Sequence, residues 1–371
     1  MCVEDHGRIV PCAWQSGKAA LPPVRPTLPR RGRVLMLACV LHAVGDLRCE
    51  ERPQPIPQPG EALVRVAASG VCGSDLPRVF LKGTYTFPLI PGHEIAGVDE
   101  STGEPVAVNP FIAPPDDLYT RAGLPNLSEG YRYLGSRCDG GWAEYVTVPR
   151  GNLVPLPPGL DAEAAAFAEP CSVAIHALRR GGPRPGDCVC IIGTGPMGLI
   201  LCQLARSAGA GTVLMVGRNP RKLAVARSLG AATVNSADRD PVAATRDMTG
   251  GVGADVVMEA VGAGESIATA FAVARKRGTV VLLGNPSGPI SFTQGQYWEI
   301  LRRELNLVGT WNSVQGASPK DEWVAALEAL ASGQVAVGGL ISHRARLEDL
   351  PGLLSRLWRG DEEHLKALVR P

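Results

Sequence analysis

The stretch CVCIIGTGPMGLILCQLARSAGA (188–210) decides the fold. It opens with an apolar run of strand length, passes through a glycine-rich turn and continues with the apolar spacing of an amphipathic helix. Gly193-Thr194-Gly195-Pro196-Met197-Gly198 fits G-x-G-x-x-G, a motif that is weak alone but specific between a buried strand and a helix start. Gly193 allows the tight turn, Gly195 lets backbone approach a pyrophosphate, and Gly198 lets helix pack on strand. The helix start, where Met197 sits, offers unpaired N–H groups and the positive dipole end. A ligand-free strand–helix turn is the plainer alternative.

Working outward, the alternation continues. TVLMVG (212–217), RKLAVARSLGA (221–231), ADVVMEAVG (254–262), IATAFAVARKRG (267–278) and TVVLLGN (279–285) read as strand, helix, strand, helix and strand. Such alternation predicts a doubly wound parallel α/β sheet, a Rossmann sheet, over residues 187–310. Upstream, residues 36–186 carry short β-rich runs broken by Pro and Gly, among them EALVRVAASG, EPVAVNP and WAEYVTVP, which predict a mainly antiparallel domain. Residues 311–371 are helical at DEWVAALEALASG (321–333) and LEDLPGLLSRLWRG (347–360) and are expected to return to that first domain. Residues 1–35 contain LPPVRPTLPRRGR (21–33), rich in Pro and Arg and without period, and are expected to be a disordered extension. A dispensable tail is the plain reading of it, and a basic docking arm the alternative.

Bulk properties exclude several classes. The chain has 371 residues, room for about two domains of roughly 150 residues. A net charge of +1 gives no electrostatic case for nucleic acid or an anionic membrane. No apolar run approaches the ~18 residues of a membrane span, and the N-terminus lacks the apolar stretch of a signal peptide. Ten scattered cysteines without a CxxC pair fit a reducing, cytoplasmic setting better than a disulfide framework.

Cofactor choice turns on the end of the second strand. An NAD site carries Asp or Glu there, about 20 residues past the motif, for the ribose hydroxyls. This chain has Gly217-Arg218-Asn219, followed by Arg221 and Lys222. With no acid and a guanidinium supplied, a 2′-phosphate is accommodated, so NADP is favoured over NAD, with Arg218 and Lys222 as its partners. An ordinary solvated helix start is the alternative.

Three segments supply metal donors. Val71-Cys72-Gly73-Ser74-Asp75 gives a thiol, Pro91-Gly92-His93-Glu94 an imidazole beside a carboxylate, and Ala168-Glu169-Pro170-Cys171 a further carboxylate. A catalytic zinc takes three protein ligands and keeps one position open, which Cys72, His93 and Glu169 satisfy. A lone Cys or His is more often core than ligand, but CGSD followed 21 residues later by GHE is far more specific.

On VCGSD (71–75), PGHEIAGV (91–98), GGWAEY (140–145), EPCSVAIHA (169–177) and GTGPMG (193–198), residues 36–371 resemble the zinc-containing medium-chain dehydrogenases, the alcohol dehydrogenase superfamily. EPCSVAIHA resembles the polyol branch, in which Glu replaces a third Cys ligand. YRYLGSRCDGGWAEY (131–145) and ILRRELNLVGTWN (300–312) are most similar to the galactitol-1-phosphate dehydrogenase group. The resemblance implies a GroES-like catalytic domain and hydride transfer between a secondary alcohol of a polyol, polyol phosphate or cyclitol and NAD(P). It also implies Ser74 as proton relay, Glu94 as a neighbour or alternate ligand of zinc, and a homodimer or homotetramer. Arg303-Glu304 resembles the pair that holds polyol hydroxyls in sorbitol dehydrogenase, with a surface ion pair as the plainer alternative. Arg132, Arg137 and Arg303 are cations that a substrate phosphate could use.

Two departures stand out. The family's structural zinc lobe carries four close cysteines; residues 109–141 here hold only Cys138, so one catalytic zinc and no structural zinc is expected. The relay histidine found five residues after the catalytic Cys in many relatives is replaced by Pro77. A cyclitol (phosphate) enzyme of specialised metabolism, or a zinc-free quinone-reductase-like or redox-dead protein on the same scaffold, are the alternatives.

Overall fold

A six-stranded sheet runs through the centre of the sequence in the spatial order Ala232–Asn235, Thr212–Gly217, Cys188–Ile192, Ala254–Glu259, Ala274–Leu282 and Asn306–Gly309. All neighbours are parallel. Numbered along the chain, the order is 3-2-1-4-5-6, the doubly wound arrangement whose ligand crevice lies outside the carboxyl ends of the first and fourth strands. The computed structural model describes residues 34–286, 288–316 and 321–371, together with a short antiparallel pair, Cys2–Val3 with Ile9–Val10. Contacts separate Met1–Val34 from Leu35–Pro371, and the second of these is a single unit. The Pro/Arg-rich stretch 21–33 and its expected disorder lie outside the described residues.

Strand Cys188–Ile192 is buried along its whole length, as a strand covered by helices on both faces must be. The expected helix over 267–278 is shorter: it spans Gly264–Val273, and the next strand starts at Ala274, not at 279. Its early start is anchored on the neighbouring strand, where Ala274 pairs with Ala254 and Arg275 Nε donates to Asp255 Oδ1 at 2.6 Å. Within that strand Arg277 has φ of 56°, and the pairing register shifts between Ala254 opposite Ala274 and Val256 opposite Thr279.

The remaining strands form a second sheet in the order Leu153–Pro155, Pro105–Val108, Glu94–Asp99, Glu61–Val71, Lys366–Val369 and Ile341–Ala345, with Tyr145–Pro149 also on Glu61–Val71. Every pairing is antiparallel except the last two strands of that order. The C-terminal segment therefore does place strands in this sheet. Its first helix, Glu322–Ala331, goes elsewhere: the fully buried Trp323 packs into the cluster that contains Phe167, Cys171 and Ala174 at the start of helix Ala168–Gly181. Trp323 Nε1 donates to Ser313 Oγ at 3.1 Å, which satisfies the indole inside that core.

The lobe at 109–141 is held by aromatic packing. Phe111 stacks on Tyr131 with centroids 4.3 Å apart and meets Tyr133 edge-on at 6.0 Å. The Arg137 guanidinium lies between the rings of Tyr85 and Tyr131, 4.1 and 4.4 Å from their centroids. Such contacts contribute roughly 0.5–2 kcal/mol each.

Candidate active site

Cys72 follows directly on the end of strand Glu61–Val71, and His93-Glu94 stand at the start of the strand beside it. Because those strands are neighbours, with Gly70 opposite Glu94, donors 21 residues apart in sequence become adjacent. One donor atom from each of Cys72, His93 and Glu94 lies within 4.8 Å of the others. His93 and Glu94 are buried, and Cys72 is half-buried. A thiolate, an imidazole and a carboxylate so close together form a donor set suited to zinc.

Asp75 organises this corner. Its Oδ2 accepts the Cys72 N–H at 2.9 Å, its Oδ1 accepts Arg78 Nη1 at 2.6 Å, and His93 Nδ1 stands 3.4 Å from Oδ1. At 3.4 Å the His93 contact is an electrostatic approach, and Nδ1 has no well-formed hydrogen bond. Burial acts to raise the Asp75 pKa, but His93, Arg78 and the Cys72 N–H outweigh it and hold the carboxyl below its ordinary value. His93 shows the mirror effect: burial pulls its pKa down, and Asp75 with Cys72 pulls it well above the usual histidine range. A carboxylate facing the far nitrogen of a ligating imidazole fixes ring and tautomer.

Glu169, buried in the first turn of helix Ala168–Gly181, is not one of the three donors gathered within 4.8 Å, where Glu94 stands in the place expected of it. Glu169 Oε1 accepts the Tyr133 hydroxyl at 2.9 Å. Burial raises its pKa, His93 opposes that and Glu94 adds to it, with a net upward shift. Glu169 thus feels the charges of both His93 and Glu94. Burial, with the Glu169 charge, also pushes the Tyr133 phenol well above its ordinary pKa, so it remains a donor. Tyr133 further sets its ring 5.6 Å from that of His93. In the sequence Tyr133 stands out only as part of YRYLGSRCDGGWAEY; no local pattern marks a tyrosine as partner to a carboxylate 36 residues on.

Lys366 was likewise missed. Its Nζ donates to both Glu94 oxygens, at 2.6 and 2.8 Å, with both side chains buried. Burial works against the charged lysine, but Glu94 holds its pKa above the ordinary value. Glu94 is thus engaged by a cation already, while Glu169 is engaged by a neutral donor. Ser74, half-buried next to Cys72, makes no side-chain cap to the short helix Asp75–Pro77 that follows it.

The cofactor motif has the geometry its glycines predict. Gly193 adopts φ of 116°. A Cβ on Gly198 would fall 2.0 Å from the Gly193 carbonyl oxygen, whereas one on Gly195 would meet nothing within 4 Å. Gly195 caps helix Pro196–Ser207 without a side-chain bond, so the first N–H groups, including that of Met197, are left for a ligand. At the second strand's end Arg218 is exposed, Lys222 is half-buried, and Asn219 caps helix Pro220–Ser228 through Arg221 N and Lys222 N.

Arg303 and Glu304 are not brought to the metal donors. Arg303 Nη1 donates to the carbonyls of Phe271 and Ala272 at 3.2 and 3.0 Å and to Glu299 at 2.8 Å, and Nη2 donates to the Ala274 carbonyl. Its fork ties helix Gln294–Arg302 to the end of helix Gly264–Val273 and to the start of the strand that follows. Glu304 is exposed at φ of 48° and lies 3.7 Å from Arg277. These contacts favour the plainer alternative, a structural arginine and a surface acid, over the expected substrate pair.

Family comparison fits this geometry. Residues 58–158 match the model of the alcohol dehydrogenase GroES-like domain, and residues 196–332 that of the zinc-binding dehydrogenases. The chain belongs to the zinc-type medium-chain dehydrogenases, in their polyol branch. It is 31% identical over 315 residues to galactitol 1-phosphate 5-dehydrogenase of Escherichia coli K12, covering 82% of this chain and 91% of that one. To sorbitol dehydrogenase of Bacillus subtilis 168 it is 30% identical over 355 residues, covering 91% and 97%. A zinc-binding dehydrogenase from Sinorhizobium meliloti 1021, solved bound to NADP, superposes with a TM-score of 0.83 at 31% identity, covering 91% and 100%. The protein is therefore an NAD(P)-linked alcohol dehydrogenase of the zinc type. Among the described residues no helix is long and apolar enough to cross a membrane.

Proposed function

We propose that the protein interconverts a secondary alcohol of a polyol or polyol phosphate and its ketone, with one zinc ion and with NADP preferred to NAD. The gathering of Cys72, His93 and Glu94 within 4.8 Å carries this reading, and the influence of His93 and Glu94 on the buried Glu169 supports its share in the site. Cys72, His93 and Glu169 hold the ion; Glu94 is kept by Lys366 as its charged neighbour. When bound, zinc supplies Lewis acidity that lowers the pKa of a substrate hydroxyl, and the dinucleotide supplies the hydride acceptor.

The chain's own residues do the rest. Asp75 aims His93, Tyr133 holds Glu169 in place, and Ser74 stands next to Cys72 to pass the substrate proton outward. Gly193, Gly195, Gly198 and the Met197 N–H cradle the pyrophosphate, while Arg218 and Lys222 face a 2′-phosphate. Arg132 and Arg137 are candidates for a substrate phosphate; Arg137 is held between two tyrosine rings with no carboxylate partner among the described residues.

A homo-oligomer is supported by helix Gln294–Arg302, which buries none of its residues and exposes Tyr297, Trp298 and Leu301 beside the edge strand with Leu307. Light scattering should return a mass of two or four chains.

One panel tests the function: zinc-loaded protein with sugar alcohols, their phosphates and cyclitols, each with NAD and NADP. Turnover of a polyol that disappears on chelation and returns with zinc supports the reading. Full activity in metal-free protein sinks it.

A further inference from the structure

Strand Thr212–Gly217 ends without the acid that selects NAD, yet a carboxylate reaches the same place from 142 residues away. Glu363 Oε1 accepts Asn219 Nδ2 at 3.1 Å, and its Oε2 accepts Arg221 Nη1 at 3.1 Å. Asn219 and Arg221 belong to the very turn and helix start that face the adenosine ribose in a doubly wound fold.

Glu363 is held there by its surroundings. It lies between helix Leu350–Arg359, which ends at Gly360 in a left-handed cap, and strand Lys366–Val369. Its neighbour Glu362 accepts Arg356 Nε at 2.6 Å and contacts His343 Nε2 at 3.0 Å. Two residues later the Leu365 N–H donates to Ser342 Oγ at 3.1 Å. The short connection is thus pinned on both sides of Glu363.

We propose that Glu363 is a specificity-determining residue of the cofactor site: a carboxylate delivered from the C-terminal segment that occupies Arg221 and restrains the preference for a 2′-phosphate. The inference rests on the reading of Arg218 and Lys222 as phosphate partners. A 2′-phosphate settling on Arg218, Arg221 and Lys222 must share Arg221 with a like charge. A 2′-hydroxyl carries no such charge and leaves the Glu363 contacts intact. The pair is largely solvent-exposed, with side-chain exposures of 84% and 51%, so its influence is modest and falls with salt.

Calorimetric titration of zinc-loaded wild type and Glu363→Gln with NADP and with NAD tests this without turnover. The expected result is NADP bound about 5-fold tighter by the variant at low salt, from the repulsion typical of an exposed pair, with the NAD constant moving less than about 2-fold. Raising the salt should shrink the NADP gain. An unchanged NADP constant, or equal changes for both cofactors, overturns the proposal. A wild type that prefers NAD, together with a variant that gains NADP alone, would remove the NADP reading and keep the role of Glu363. Matching melting temperatures without cofactor check that the variant is folded.

Discussion

Lys366 Nζ lies 2.6 and 2.8 Å from the two carboxylate oxygens of Glu94, joining the C-terminal strand to the metal corner 272 residues earlier. Both groups are buried, so each charge depends on the other. Removing one partner from such a pair leaves an uncompensated charge and costs about 3–5 kcal/mol. Lys366→Met should therefore lower stability by that order in denaturant unfolding, and Lys366→Met with Glu94→Gln should recover part of the loss. A double-variant loss equal to the sum of the two single losses would show that the pair is not coupled.

Tyr133→Phe removes one hydroxyl from the Glu169 carboxylate. Supporting bonds of this kind are worth about 10- to 100-fold in metal affinity or activity. Competition with a chromophoric chelator should show zinc held that much more weakly, with the fold intact by circular dichroism. Unchanged zinc affinity would separate Glu169 from the metal.

Cys72→Ser and Glu169→Ala should each abolish measurable turnover and lower bound zinc in elemental analysis, because three donors are the usual minimum for a catalytic site. Glu94→Gln discriminates the two carboxylates. If Glu169 is the ligand, this variant retains zinc; zinc loss in Glu94→Gln with retention in Glu169→Ala would reverse their roles.

Arg303→Ala tests the structural assignment. Its guanidinium serves three backbone carbonyls and Glu299, so its loss should cost about 1–3 kcal/mol of stability and leave the substrate KM within about 2-fold. A large rise in KM with unchanged melting temperature would restore it to the substrate site.

The strand–turn–helix at 188–210 was legible because its signals are local: an unbroken apolar run, three glycines at fixed offsets, and a 3.6-residue period after them. Cys72 and His93 stand out in the sequence for a related reason, since metal donors are rare residue types and their motifs are short, whereas the donor gathered with them is Glu94 and not the expected Glu169. For Arg303-Glu304 a motif reports residue types and not direction; the guanidinium turns to the carbonyls that end helix Gly264–Val273, which no local pattern encodes.

By itself, then, the sequence determined the doubly wound sheet, the pyrophosphate turn and the rare donors for a metal, all properties of a few consecutive residues. Tertiary structure alone decided which carboxylates meet which partners. Lys366 reaches Glu94 and Glu363 reaches Arg221 because strand Lys366–Val369 pairs with strand Glu61–Val71 and carries its flanking loop along, and Tyr133 reaches Glu169 from a strand pair of its own, Phe111–Ile112 with Arg132–Tyr133. Pairing between strands about 300 residues apart is fixed by burial of a whole sheet face, and no window of sequence contains that information.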